Sequence, residues 1–202
     1  MKLEEEWIAY FMVKAYEKLG DKVASLYGIT IDVPQLPFPR ISLAEAKDII
    51  HKRGYVSPKS DDLNPDDEKI LSEYIKEEFG HDFVFVTDYP VSARPFYHMR
   101  HEHNSQLTKS FDLLYRGLEV TTGAQREHRY DVLKAQILEK QASEHDSELL
   151  ESLKYYLQFF EYGTVPHGGY GFGLSRLIMK LLEFPNIRSV AFLSRNPKRI
   201  TP

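Results

Sequence analysis

Four glycines in six residues lead into an apolar stretch whose first turn carries an arginine: Gly168-Gly169-Tyr170-Gly171-Phe172-Gly173-Leu174-Ser175-Arg176-Leu177. Residues without a Cβ let a flat ligand lie against bare backbone. A planar guanidinium beside that surface suits stacking on an aromatic base or pairing with phosphate. Gly169, Gly171, Gly173 and Arg176 thus form a candidate nucleotide site, but not one that wraps phosphate. No Gly-x-x-x-x-Gly-Lys-Ser/Thr occurs, and no Gly-x-Gly-x-x-Gly opens a helix after a parallel strand. The competing reading is a glycine-rich turn between strand and helix with a surface arginine.

Asp112 and Glu119 lie on the two arms of a proposed hairpin around Arg116-Gly117. Carboxylates facing each other across a strand pair are about 5 Å apart. Two bare charges that close require a cation, a proton or a ligand between them. Mg2+ held by one or two carboxylates plus phosphate oxygens meets that demand; the alternative is a pair of outward, solvated acids. Arg126 follows in Gly123-Ala124-Gln125-Arg126-Glu127. Beside small residues it is shaped to grip a carboxylate through two parallel hydrogen bonds. Its other reading is a helix-start ion pair with Glu127 or Asp131.

The elements that must position these groups follow from periodicity and punctuation. Trp7, Ile8, Phe11, Met12, Ala15, Tyr16, Leu19, Val23 and Leu26 recur at helical spacing, predicting a helix over 3–27 that Gly28 ends. Ile29 to Val33 alternates as a short strand, and Pro34, Pro37 and Pro39 then impose a rigid extended segment. Ser42-Leu43-Ala44-Glu45 reads as a capping box opening a helix that ends near Gly54. Asn64-Pro65 starts another that ends at Gly80. Strands are predicted at Phe83 to Val86, Phe96 to Met99, Ser110 to Leu114, Leu118 to Thr122, in the glycine stretch and at Ser189 to Leu193. Helices are predicted over 127–141, 147–161 and 173–183, and 100–109 reads as a polar loop. Hairpins as well as helices join the strands, which predicts an α+β fold with a mostly antiparallel sheet flanked by helices.

Bulk properties narrow the class. The 202 residues suit one domain, and 42% hydrophobic with 28% charged residues is ordinary for a globular chain. A net charge of −4 confines any nucleic-acid contact to a local patch. Cysteine is absent, which excludes disulfides and thiolate metal sites. No apolar run approaches the roughly 20 residues needed to span a membrane, and the N-terminus lacks the features of a signal peptide. A cytoplasmic protein is the expectation.

Lys109-Ser110-Phe111-Asp112-Leu113, Gly117-Leu118-Glu119, Gly123-Ala124-Gln125-Arg126-Glu127-His128 and the glycine–arginine stretch occur in one order. Together they resemble the C-terminal half of the class II aminoacyl-tRNA synthetase catalytic domain, specifically aspartyl enzymes of the archaeal type. The closing Arg195-Asn196-Pro197-Lys198-Arg199-Ile200-Thr201-Pro202 is similar to the end of those enzymes. The resemblance covers nearly the whole chain and implies a single partial catalytic domain over 1–202.

It further implies ATP and Mg2+ as cofactors, L-aspartate as substrate, and tRNA as the partner of the parent enzyme. Gly169, Gly171 and Gly173 would floor the adenosine pocket, with Arg176 stacking on adenine. Asp112, Glu119 and Thr122 would handle the metal, with Arg176 and Glu119 as the catalytic pair. Arg126, with Gln125, would read the aspartate side chain; sister asparaginyl enzymes usually carry Gly-Gly-Ser in place of Gly-Ala-Gln. In an ideal strand Glu119 and Thr122 face opposite sides, so the shared metal requires a bulge or twist near Gly123. Ser175 replaces an acidic residue common in the family.

Neither the first nor the second family motif is recognised, nor an anticodon-binding barrel. Arg100-His101-Glu102 imitates the second motif but falls in a loop. The expectation is therefore weak ligand binding, negligible aminoacylation by this chain alone, and self-association through an exposed sheet edge. Two other readings stand beside this one. The first is a non-enzymatic paralogue that binds nucleotide or a partner; the second is an asparaginyl-tRNA synthetase or asparagine synthetase A-like relative.

Overall fold

The computed structural model describes residues 1–140, 151–193 and 195. Apolar periodicity produces α1 (Lys2–Tyr27), which buries Ile8 and Met12 and closes where Gly28 adopts φ 69°. Ser42 and Glu45 cap α2 (Leu43–Lys52) reciprocally, and Asn64 and Asp67 do the same for α3 (Pro65–Phe79). The buried Asp67 carboxylate also accepts from Lys47 Nζ at 2.8 Å and Ser57 Oγ at 2.6 Å. That one acid ties the 55–63 loop to both helices.

Five strands form one sheet in sequence order: β1 (Arg40–Ser42), β2 (Phe83–Thr87), β3 (Ser110–Tyr115), β4 (Glu119–Gln125) and β5 (Gly168–Phe172). β1 runs parallel to β2, and every other pair is antiparallel. Strand alternation sends Phe83, Phe85, Phe111, Leu113 and Tyr115 to one face. There they pack against Ile8 and Met12 of α1 and against Leu177 and Leu181 of α6 (Leu174–Leu181). Val84, Val86 and Leu114 face the other way, under Leu43, Ile50, Leu71 and Ile75. Because α2 and α3 pack chiefly on β1–β3, the same face over β4 and β5 is left to the 88–109 loop and to solvent. α4 (Tyr130–Lys140) and α5 (Lys154–Glu161) build a smaller cluster around Leu133, Ile137, Leu157 and Phe160.

Several expectations are corrected. Residues 29–33 form no strand, because β1 occupies the place beside β2, with Phe85 N donating to Pro39 O at 2.9 Å. Three residues are too few to show alternation, which is why β1 escapes a sequence reading. Residues 96–99 make only an isolated bridge, His98 to Arg126: the Phe96 and His98 carbonyls accept from Gln136 of α4, while those of Tyr97 and Met99 accept from Glu127 N and Lys109 N. The expected last strand is a 3-10 turn, Ile187–Val190, capped by Asn186. The 127–141 helix begins at Tyr130, and the N-terminal part of the 147–161 helix and most of the 195–202 tail lie outside the described residues.

The acidic start of α1 faces inward. Glu5 accepts from Phe38 N at 3.1 Å and Arg40 Nη2 at 3.0 Å. Glu4 is fully buried, and burial pushes its carboxyl up from the ordinary value. No helix among the described residues is long and apolar enough to cross a membrane.

Candidate functional site

The register between β3 and β4 decides which side chains share a face. Asp112 pairs with Thr122 and Leu113 with Thr121, but Leu114 pairs with Glu119, so Val120 is the extra residue of a β-bulge. The bulge expected near Gly123 thus lies at Val120. It turns Glu119 onto the face of Thr122 and Asp112, which an ideal strand would not do. Asp112 and Glu119 are consequently diagonal neighbours, not the directly opposed pair that the hairpin suggested. Groups of the site hold the bulge in place. Glu119 N donates to Glu68 Oε2 at 3.0 Å, Glu119 O accepts from Arg176 Nη1 at 2.9 Å, and Val120 O accepts from Gly173 N at 2.7 Å.

β5 supplies the floor. Gly171 lies opposite Thr122 and Gly169 opposite Ala124, so both share the face of the acids. A Cβ added at either would meet nothing within 4 Å. Gly173 differs: its Cβ would stand 3.2 Å from Val120 O, so its role is to let α6 approach the bulge. From the first turn of α6, Arg176 reaches back with Nη1 at 3.2 Å from Glu119 Oε1. Residues 112, 119 and 176 therefore gather on one face of the sheet, with Asp112 buried and Glu119 and Arg176 partly exposed.

Sequence reasoning missed Arg94. Asp112 is 4% exposed, and its Oδ2 lies 2.5 Å from Arg94 Nη2 while its Oδ1 accepts from Thr122 Oγ1. Arg94 Nη1 is 3.3 Å from Thr122 Oγ1, and the guanidinium sits 3.6 Å above the Tyr89 ring. α4 holds the backbone that carries this arginine. Lys140 Nζ bonds the carbonyls of Val91, Ser92 and Arg94, and Gln136 Nε2 donates to Phe96 O at 2.5 Å and His98 O at 3.2 Å. Arg100 and His101 are occupied elsewhere, with Glu139 at 2.9 Å and Asp88 at 2.8 Å.

The acids outnumber the cations beside them. Burial, then the Asp112 charge, pushes the Glu119 carboxyl up, against the pull of Arg176 and Arg94. Glu68, also missed, is pushed from 4.5 up to about 7 by burial and by Glu119 and Asp112. Among the described residues no three His, Cys, Asp or Glu side chains surround one point as a metal cage. An ion here would draw its remaining oxygens from phosphate and water, which is how Mg2+ is commonly held.

A pH dependence follows. With its folded value raised, Glu68 contributes stability that is fully present below 4.5 and lost as pH rises through about 7. Thermal unfolding in metal-free buffer should weaken by about 2 kcal/mol across that window, allowing for partial exposure. Glu68→Gln, which keeps an acceptor for Glu119 N–H, should flatten the slope; an unchanged slope would contradict the assignment.

Arg126 N donates to His167 O at 2.9 Å, and its guanidinium lies 4.4 Å over the Tyr97 ring. The pairing with Glu127 does not form, because Arg129 holds that carboxylate through Nε at 2.9 Å and Nη2 at 2.8 Å. Among the described residues no carboxylate pairs with Arg126. Gln125 bonds through its backbone to Lys109 O and Met99 N, and alternation carries its side chain to the face of Gly123.

The mostly antiparallel sheet flanked by helices is the class II aminoacyl-tRNA synthetase catalytic fold. The chain superposes on aspartyl tRNA synthetase from Entamoeba histolytica with a TM-score of 0.89 and 30% identity, covering 100% of this chain and 41% of that one. Asparaginyl-tRNA synthetase from Pyrococcus horikoshii complexed with asparaginyl-adenylate gives 0.85 and 30%, covering 100% and 45%. The family described as tRNA synthetases class II (D, K and N) matches residues 1–197, and the chain belongs to it. Among curated relatives, aspartate–tRNA(Asp) ligase of Pyrococcus abyssi is 39% identical over 202 residues, 100% of this chain and 44% of its own. Aspartate–tRNA(Asp/Asn) ligase of Thermus thermophilus is 41% identical over 213 residues, 100% of this chain and 46% of its own. The chain thus spans less than half the length of these relatives.

Proposed function

We propose that the face over β4 and β5 is the adenosine and metal side of an aspartate–tRNA ligase site, within a unit equivalent to the third-motif half of the catalytic domain. The observation that carries this reading is the pair of site-facing glycines, whose missing side chains leave open space beside Glu119, Asp112 and Arg176. ATP fits that arrangement, with Gly169 and Gly171 against the adenosine and Arg176 as the planar cation beside it. Mg2+ fits the donor set, which is all oxygen and short of positive charge. Glu119, Asp112 and Thr122 would hold it, and when bound it would neutralise phosphate oxygens.

Arg126, a cation with no carboxylate partner among the described residues, binds the side-chain carboxylate of L-aspartate. The α-carboxylate of the amino acid then attacks the α-phosphate of ATP and pyrophosphate leaves. In the complete enzyme the aminoacyl group then passes to the hydroxyl at the 3′ end of tRNA and AMP leaves. Self-association belongs to the same reading: every residue of β5 but Phe172 is exposed, as are Trp7, Tyr10 and Tyr16 of α1. A purely monomeric species in sedimentation at high concentration would remove it.

Arg126→Leu tests the substrate. Calorimetric titration of L-aspartate in the presence of ATP and Mg2+ should show affinity falling by about 30-fold or more in the variant. ATP binding itself should be kept, and L-asparagine should compete poorly with the wild-type protein. Tight, Arg126-independent binding of asparagine would favour the asparaginyl reading. ATP binding with no response to either L-aspartate or L-asparagine would favour the non-enzymatic one.

A further inference from the structure

We propose that Arg94, His98 and Gln136 enclose a binding site for a single water molecule, through which His98 and Gln136 act as positioning residues for the Arg94 guanidinium. Arg94 Nε, His98 Nδ1 and Gln136 Oε1 are each buried with no hydrogen-bond partner among the described residues. All three residues line one cavity of about 10 Å³, which Arg100, Thr108 and Lys140 also border. A cavity of about that size holds one water when two to four polar groups address it.

The polarity of the lining selects the occupant. Arg94 Nε–H is a donor only, and Gln136 Oε1 is an acceptor only, because the amide nitrogen is already spent on Phe96 O and His98 O. His98 is 6% exposed, and burial with the nearby charges of Arg126, Arg94 and Lys140 pushes its pKa down to about 4. The ring is therefore neutral near pH 7, and with its proton on Nε2 it accepts at Nδ1. One water accepts from Arg94 and donates to His98 and Gln136, the usual three bonds of a buried water. A metal cation is disfavoured by Arg94 and Lys140, and an anion by two acceptors among the three groups.

This water completes the seat of Arg94. Nη2 is held by Asp112, Nη1 by Thr122 and the flat face by Tyr89. Nε is the one remaining edge, and the water ties it to α4, whose Gln136 and Lys140 already fix the backbone of the same loop. The hydration site stands without the functional reading. Its consequence for nucleotide rests on that reading, because Arg94 orders Asp112 and Thr122.

Two measurements decide it. A high-resolution crystal structure of the 202-residue protein should show an ordered water within about 3.2 Å of all three atoms. A cavity filled by a side chain, or one with no ordered water, overturns the proposal. In solution, His98→Leu should speed exchange of the Arg94 Nε–H and weaken Mg2+·ATP binding by about three- to tenfold. His98→Asn, whose side-chain oxygen lies close to the place of Nδ1, should restore both; identical behaviour of the two variants also overturns it. If the wild-type protein binds no Mg2+·ATP, the proposed function fails, while the crystal structure and the Nε–H exchange still decide the water site. Should His98→Leu not fold, the wild-type crystal structure decides.

Discussion

Replacing Arg94 by methionine is expected to lower the unfolding free energy by about 3–5 kcal/mol, the cost of leaving a buried charge without its partner. For a chain of this size that corresponds to a fall of roughly 10 °C in Tm. Asp112 is almost fully buried, and without the guanidinium its carboxylate is left with the neutral Thr122 hydroxyl and no cation bonded to it. Adding Asp112→Asn to Arg94→Met should recover part of the loss, because the uncompensated charge is then gone. Differential scanning calorimetry of the three proteins measures this directly. A loss below about 1 kcal/mol for the single variant would place the pair among ordinary surface ion pairs and contradict its description as buried.

The second large effect separates ligand space from packing space in the glycine strand. Gly171→Val should leave stability within about 0.5 kcal/mol, since its Cβ meets nothing and valine suits a strand. The same change should weaken Mg2+·ATP binding by about tenfold or more, because the side chain fills the proposed adenosine floor. Gly123→Ala is the opposite case. Its Cβ would stand 2.5 Å from Phe111 Cζ and 2.8 Å from Tyr170 Cβ, so it should cost about 1–3 kcal/mol through overpacking. If Gly171→Val destabilised the protein as strongly as Gly123→Ala, the open floor would not exist.

The contrast between those glycines shows what a sequence reveals and what it hides. Their density was legible, but which of them faces a ligand depends on register, and register depends on one bulge. Nothing in Glu119-Val120-Thr121-Thr122 announces that Val120 is unpaired; the text reads as a regular strand. The helices were legible because caps are local chemistry: Ser42 with Glu45, and Asn64 with Asp67, satisfy each other within four residues. Glu68 was hidden by the same motif, since an acid in a first helical turn is normally explained by the helix dipole. Its bond to Glu119 spans 51 residues of sequence. Arg94 was hidden for the same reason, as a loop cation whose partners come from β3, β4 and Tyr89. Groups held by neighbours in sequence can be read, whereas groups held across the fold cannot.

Whether a guanidinium and two carboxylates on this sheet serve a nucleotide is settled most directly by titrating ATP into the purified protein with and without Mg2+. Binding that requires the ion, declines in Glu119→Gln and is lost in Gly171→Val is the predicted outcome. Heat that is indifferent to Mg2+, or that survives valine at 171 undiminished, would show that the adenosine lies somewhere else or nowhere at all.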